Sequence, residues 1–285
     1  MKIPKRLQPL VDDGLIDAVL SRLMSGKEAD VFVVRCGQHI RCAKVYKEAM
    51  KRSFKKAAQY QEGRKVRGGR QARAMSKRSN YGRQLEEEVW QNAEVDALSR
   101  LAAAGVRVPA SYCCVDGVLL MELVSDDEGN VAPQLGAVSM SEEEAIRQYT
   151  LMMHYIRLML CVGLIHGDLS EFNVLVDGNG PVIIDLPQAV NAAANNSAQA
   201  MFERDVNNMR RYYGEYAPAL RHTNYAKEMW ALFEEGNLTP HSVLTGIFEE
   251  ELQSADVSAV LDEISAAMAE EQERQARIKA GSEAL

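Results

Sequence analysis

Three residues in one short stretch of this chain carry groups suited to moving a phosphoryl group. They are Asp168 and Asn173 in HGDLSEFN, which begins at His166, and Asp185 in IIDLP, which begins at Ile183. An amide carbonyl and a carboxylate are hard oxygen donors of the kind magnesium takes, with water and substrate phosphates completing its sphere. Asp168, upstream in the loop, is placed to orient a nucleophile. The apolar runs Val174 to Val176 and Val182 to Ile184 flank Asp-Gly-Asn-Gly at 177–180, which predicts a β-hairpin with a four-residue turn. In antiparallel strands the residue before the first strand lies opposite the residue after the second, roughly 5 Å away. Asn173 and Asp185 are therefore expected to meet at one end of the hairpin.

A phosphate chain also needs a cation. In HIRCAKVY, from His39, strand alternation puts Cys42 and Lys44 on one face. A helix is predicted from Gln84 to Ala104, ended by Gly105 and followed by Pro109. At about 100° per residue, Trp90, Glu94, Ala97, Leu98 and Leu101 form one stripe of that helix. Glu94 is then a carboxylate on an apolar face, where an unpaired charge is costly. Either Lys44 pairs with it, as protein kinases hold their phosphate-contacting lysine, or Glu94 snorkels to solvent. Ser25-Gly26-Lys27-Glu28-Ala29-Asp30-Val31 precedes the lysine strand where a phosphate-covering turn would lie. It has one glycine and is neither G-x-G-x-x-G nor a Walker motif, so only its backbone amides and Lys27 recommend it. His166 is expected to brace the catalytic loop by hydrogen bonding. Asp205, in FERDVNNMRRYY, either hydrogen-bonds that loop from beneath or is a surface helix charge.

The elements that must position these groups follow from periodicity. Ile3 to Met24 has apolar residues at helical spacing, interrupted near Gly14. Two strands joined around Gly37 come next, then the basic segment and the Glu94 helix. ASYCCVDGVLLMELV holds two more strands with a turn at Asp116-Gly117. From Ser141, which forms a capping-box pattern with Glu144, the chain reads as helical apart from the hairpin. A strand-rich first part and a helical second part predict an α+β fold of two lobes joined near Leu123 to Asp127. The expected divisions are an N-terminal helical segment (1–24), an N-lobe (25–123) with a basic flexible insert (47–83), a C-lobe (124–253) and a C-terminal helix or tail (254–285).

The net charge of −7 conceals a segregation. Lys47 to Arg83 holds 13 Lys and Arg against Glu48 and Glu62, leaving 20 bases and 38 acids in the rest of the chain. This segment is either an RNA or polyanion contact or a solvated loop that docks on the acidic body. The five cysteines form no C-x-x-C pair, which indicates neither a zinc site nor a disulfide framework. With no leader pattern, this points to a cytoplasmic protein. The most apolar stretch, Tyr149 to Ile165, is broken by His154 and Arg157 and is expected to be a buried helix, not a membrane span.

GKEADVF, Lys44, Glu94, HGDLSEFN and IIDLP together resemble the RIO family of atypical serine/threonine protein kinases, from about Arg22 to Tyr225. The kinase pattern H-R-D-L-x-x-x-N is met by His166, Gly167, Asp168, Leu169 and Asn173, with Gly replacing Arg. D-F-G is reduced to Asp185-Leu186-Pro187, and Ala217-Pro218-Ala219 is the nearest approach to A-P-E. The resemblance implies a two-lobed protein-kinase-like fold with a small β-rich N-lobe, a mainly helical C-lobe and no conventional activation segment. It implies ATP with magnesium or manganese as cofactors. Asp168 would be the catalytic aspartate, Asn173 and Asp185 the metal ligands, Lys44 the phosphate lysine and Glu94 its partner. Ser25 and Lys27 would lie over the phosphates, and Val31 and Cys42 would pack on the base. Met121 would be the gatekeeper, with the Glu122 carbonyl and Val124 amide meeting adenine. Ser53, Ser76 and Ser79 become candidates for autophosphorylation.

Three functions compete at this stage. One is a serine/threonine protein kinase acting on a protein substrate and on itself. Another is an ATPase switch on RNA or ribosomal particles, contacted through 47–83, with Asp185 as a transient phosphate acceptor. The third is a small-molecule kinase, which the SEFN continuation and the basic insert disfavour.

Overall fold

A computed structural model describes residues 3–26, 28–47 and 93–248. Lys27, Trp90, Ser53, Ser76, Ser79, all but the first residue of the basic insert and the 254–285 tail lie outside the described residues. The N-terminal part is a five-stranded antiparallel sheet in the order β1-β2-β3-β5-β4. Its strands are β1 Ala18–Ser25, β2 Ala29–Cys36, β3 His39–Tyr46, β4 Ser111–Val115 and β5 Val118–Glu122. Valine, isoleucine and phenylalanine at alternate positions suit the pleat. The β2 to β3 and β4 to β5 connections each carry a glycine at positive φ, Gly37 and Gly117.

The segment expected to be helical from Ile3 to Met24 is largely not. Helix α1 spans only Gln8–Asp12, and Ala18–Ser25 is an edge strand paired with β2. The cause is visible in the register, which shifts between Val19 and Ser21 and again between Arg22 and Met24. Each irregularity slips the two-residue alternation by one, so that Val19, Leu20 and Leu23 continue the helical spacing of Leu15 and Ile16, which precede the strand. Leu20, Leu23 and Met24 are in fact exposed.

The two faces of the sheet have different partners. Phe32, Val34, Ala43, Val45, Val118 and Leu120 point one way and are covered by Leu7, Leu10 and Ile16 of the N-terminal segment. The opposite face carries Val31, Val33, Cys42, Lys44, Leu119 and Met121, which the register places side by side. Helix α2, through 93–103, packs behind this face, burying Glu94, Ala97, Leu98 and Leu101. That i, i+3, i+4, i+7 set is the predicted stripe.

The remainder is mainly helical: α3 Glu142–Cys161, α4 Ala198–Tyr216 and α5 Tyr225–Glu234, with two-stranded ribbons β6 Leu164–Ile165 with β9 Val190–Asn191, and β7 Val174–Asp177 with β8 Gly180–Ile183. Ser141 caps α3, its Oγ accepting from the Glu144 amide at 3.2 Å. The core joins Tyr149, Met152 and Ile156 to Phe202, Val206, Met209 and Trp230, and continues into Leu98, Leu101 and Leu119. Residues 186–197 are all that separate Asp185 from α4, too few for a conventional activation segment. Among the described residues no helix is long and apolar enough to cross a membrane.

Leu10 is 1% exposed. Leu10→Ala should destabilise the protein by about 2–5 kcal/mol, the usual cost of a cavity at a fully buried leucine. Urea unfolding followed by tryptophan fluorescence measures it, and a loss below about 0.5 kcal/mol would mean that α1 is no part of the core.

Candidate active site

Lys44 is central to the cleft face of the sheet, opposite Val31 on one neighbouring strand and Leu119 on the other. Its ammonium lies 2.7 Å from Glu94 Oε1, 3.1 Å from Oε2 and 2.7 Å from Asp185 Oδ1. Lys44 and Glu94 are buried, so the snorkelling alternative for Glu94 is wrong. Tyr46, two residues along the same face, donates its hydroxyl to Glu94 Oε2 at 2.5 Å. Burial on its own would lower the Lys44 pKa, but the charges of Glu94 and Asp185 outweigh it and hold the ammonium above its ordinary value. For Asp185 burial acts upward, and the Lys44 charge and hydrogen bond bring the carboxyl below its usual range. Burial, with the Glu94 carboxylate, raises the Tyr46 hydroxyl. Two carboxylates facing one ammonium leave a local charge of about −1, an electrostatic invitation to a cation.

Below this cluster the HGDLSEFN loop is held from several sides. Asp205 Oδ2 accepts from the Gly167 amide at 2.7 Å and Oδ1 from the Leu169 amide at 3.0 Å. Asp205 is buried and so is no surface charge. Arg204 donates to the Gly167 carbonyl, and Asn208 Nδ2 donates to the Leu169 carbonyl at 2.9 Å. His166 Nδ1 accepts from the Asp168 amide at 3.2 Å, which leaves Nε2 to donate to the Ile184 carbonyl 2.9 Å away. The network thus holds both ring nitrogens of His166 against the backbone and gives it a bracing role. Burial lifts the Asp205 carboxyl to about 6, the neighbouring His166, the two amides and Arg204 offsetting only part of it.

The hairpin differs from expectation in register. Asp177 pairs with Gly180, so the turn is the two residues Gly178-Asn179, not four. Val174 then faces Ile183, and Asn173 faces Ile184, whose amide donates to the Asn173 carbonyl at 3.0 Å. Asp185 lies one residue further on. It has φ +64, a left-handed conformation uncommon for a residue with a side chain. With the Ile184 amide bonded to Asn173 and its carbonyl to His166, the chain is fixed up to the point where it turns, and Asp185 is aimed at Lys44. Its side chain is 40% exposed. Asn173 Nδ2 donates to the Asp168 carbonyl at 2.8 Å, directing its amide oxygen away from that carbonyl. The Asp168 side chain is exposed. Among the described residues no group of three or more His, Cys, Asp or Glu gathers around a point. One amide oxygen and one carboxylate fit an ion that takes most of its ligands from phosphate and water.

The remaining predicted residues divide. Cys42 and Met121 face each other across β3 and β5 on the cleft side, and burial pushes the Cys42 thiol up to about 12, so it lines the cleft as a neutral, weakly polar group. Ser25 Oγ donates to Asp30 Oδ1 at 2.6 Å, where Arg22 and Lys47 also converge. Lys47 Nζ lies 2.6 Å from the Gly26 carbonyl, a basic group beside the phosphate-turn position that the alternation argument did not single out. Val124 is buried against Ala132 and Val182, its carbonyl accepting from Ala132.

The Glu122 carboxylate belongs to a junction not foreseen from sequence. Arg107 binds it through two nitrogens, at 2.8 and 3.0 Å, and reaches Asp177 Oδ2 at 3.1 Å. The Arg107 carbonyl accepts from Ile183 at 2.9 Å. One residue thereby ties the end of β5 to both strands of the hairpin. Its three partners are 15 to 76 positions away in the chain, and no local pattern signals it.

The RIO domain profile matches residues 30–226, and the chain belongs to the RIO domain family. It is 33% identical over 209 residues to the RIO-type serine/threonine-protein kinase Rio1 of Haloferax volcanii, a match covering 72% of this chain and 66% of that one. To the serine/threonine-protein kinase rio1 of Schizosaccharomyces pombe it is 31% identical over 188 residues, covering 65% of this chain and 36% of the relative. The chain thus spans about two thirds of the archaeal relative and little more than a third of the yeast one. The crystal structure of the Rio2 kinase-ADP/Mg2+-phosphoaspartate complex from Chaetomium thermophilum shares the fold, with a TM-score of 0.53 and 23% identity over 74% of this chain and 59% of that chain.

Two outcomes are expected. Arg107→Ala leaves Asp177 buried without its cation and should cost about 1.5–3 kcal/mol, the range for hydrogen bonds to charged groups, measured by chemical denaturation beside Asp177→Ala and the double variant. Additive single effects would show that the two do not interact. Asp205 should titrate near pH 6. Its folded pKa lies above the unfolded 3.8, so the folded state binds the proton first. Its own contribution to stability therefore rises as pH falls from about 6 to 4 and is lost as pH rises through that window. Asp205→Asn should remove this component of the stability–pH curve.

Proposed function

We propose that this chain is an ATP-dependent serine/threonine protein kinase of RIO type, transferring the γ-phosphoryl group to Ser or Thr hydroxyls, its own included. The observation that carries the proposal is the buried Lys44 ammonium held 2.7 Å from both Glu94 and Asp185. In a protein kinase a lysine on β3 pairs with a helix glutamate and contacts the nucleotide phosphates. Its relatives' names and the ADP and Mg2+ of the Chaetomium complex support the same reading.

Asn173 and Asp185 would hold Mg2+ or Mn2+, which when bound neutralises phosphate charge. Lys44, released in part from Asp185 as phosphates arrive, would carry the remaining charge complement. Val31, Cys42 and Met121 would line the adenine end of the cleft, with the Glu122 carbonyl and Val124 amide as its polar contacts. Ser25 and the backbone around Gly26 would cover the phosphates. Asp168, exposed and fixed through its backbone by His166 and Asn173, would orient the attacking hydroxyl and accept its proton. Such a site works by positioning and electrostatics more than by covalent chemistry.

A second reading has one observation in its favour. Asp185 is partly exposed, has a left-handed backbone and is fixed by Lys44, and an aspartate so presented could itself take the phosphoryl group in an ATPase cycle. Incubation with γ-labelled ATP separates the two. Acid-stable label on protein is expected for the kinase, and hydroxylamine-labile label would move the assignment to an acyl phosphate. Asp168→Asn should lower transfer by a factor of about 10²–10⁴, the usual contribution of a positioned base, with ATP affinity retained. Undiminished transfer by this variant would remove Asp168 from the mechanism.

A further inference from the structure

We propose that α4 carries a second anion site, formed by Asn207, Arg210 and Arg211 with Arg221 from the turn that follows, and that its ligand is a phosphomonoester on a protein, a phosphoserine or phosphothreonine side chain. These residues and Glu215 line a cavity of about 230 Å3 on the C-terminal lobe. Positions 207, 210 and 211 share one helix face by their i, i+3, i+4 spacing.

Two of the arginines are aimed without being neutralised. Arg210 Nη1 donates to the Thr223 carbonyl at 2.8 Å, and Arg221 Nε donates to the Gly214 carbonyl at 2.8 Å. Each bond uses one of several N–H groups on a neutral acceptor and leaves the full charge in place. Gly214 makes the second bond possible, because a Cβ there would lie 2.7 Å from Arg221 Cγ. The stem of Arg221 crosses the helix where a side chain is missing. Four other arginines find carboxylates: Arg107 has Glu122 and Asp177, Arg147 has Glu144, Arg100 has Asp96 and Arg22 has Asp30. Among the described residues Arg210, Arg211 and Arg221 form no ion pair. Three guanidiniums against the single Glu215 carboxylate leave an excess of two positive charges in one concave place.

That excess selects the ligand. A phosphomonoester carries nearly two negative charges near neutral pH and presents three oxygens to forked donors. An RNA backbone carries one charge per phosphate and is met by cations spread along its path, not by a single concave cluster. The location suggests a use that rests on the kinase reading. Arg204, Asn208 and Arg211 follow one another at i, i+4 and i+7 on α4, and the first two hold carbonyls of the catalytic loop. Arg211 is one turn beyond Asn208, about 5 Å along the axis. A peptide already phosphorylated a few residues from its acceptor hydroxyl could place both groups at once, since each extended residue spans about 3.3 Å.

The test uses the full chain and two degenerate peptide mixtures, one with a fixed phosphoserine and one with serine in its place, with binding read by fluorescence anisotropy. The phosphorylated mixture should bind at least about tenfold more tightly, and Arg211→Gln and Arg221→Gln should each abolish the difference. Arg211 is exposed, so its variant should keep the fold, checked by an unchanged melting curve. Equal binding of the two mixtures, or phosphopeptide binding untouched by both variants, overturns the site; a single-stranded RNA oligomer whose binding is the one lost overturns the ligand. ATP binding measured on the same samples keeps the two readings apart. Its failure with phosphopeptide binding retained removes the kinase reading and leaves the site standing.

Discussion

An ammonium group buried between two carboxylates is the constraint on which the rest of this structure depends. Burying Lys44 without both partners would carry a desolvation cost of several kcal/mol, so β3, α2 and the residue after β8 must converge on one point. β3 supplies the lysine from the middle of a sheet, where its neighbours Val31 and Leu119 fix its direction. α2 supplies Glu94 from within its apolar stripe, and Ala97, Leu98 and Leu101 anchor the helix. Tyr46 adds a donor to the same carboxylate. The pairing links the sheet to the helical lobe through charges that neither could bury alone.

The helical lobe delivers Asp185 by a different device. Ile184 is bonded to Asn173 through its amide and to His166 through its carbonyl. The HGDLSEFN loop and the hairpin are thus bonded through one residue, and the loop itself hangs on Asp205 by two amides. Asp168, Asn173 and Asp185 are consequently parts of one hydrogen-bonded frame whose base is α4. Arg107 ties the far end of the hairpin to the last residue of β5. A frame of this kind keeps reacting groups in place at little entropic cost during reaction, which is what catalysis by positioning requires.

Much of this is legible in the sequence. Glu94 was conspicuous because a carboxylate in an apolar stripe requires a partner, and the alternation of β3 offered Lys44. HGDLSEFN with IIDLP defined the lower half of the site, and Asp205 was identifiable as a possible support. The misreadings have local causes. In β1 two bulges reset the alternation, and an edge strand with little burial gives no second signal to correct it. In the hairpin, a two- and a four-residue turn over Asp-Gly-Asn-Gly share one register, with Val176 opposite Pro181; setting Asn173 opposite Asp185 leaves Pro181 unpaired, and pairing it moves every partner by one.

The sequence by itself determined which residues carry charge and which faces are apolar, and from these it pointed to a lysine, a glutamate, an asparagine and two aspartates as the candidate phosphoryl-transfer set. Patterns of period 2 and 3.6 report burial within an element, and that was sufficient for Lys44 and Glu94. Only the tertiary structure decided where the chain turns at Asp185, that Arg107 joins Glu122 to Asp177, and that Arg210, Arg211 and Arg221 converge without forming an ion pair among the described residues. Each of these depends on residues brought together from different elements or on the exact register of a turn. Such geometry is set by packing and hydrogen bonding over the whole domain, and local periodicity does not record it.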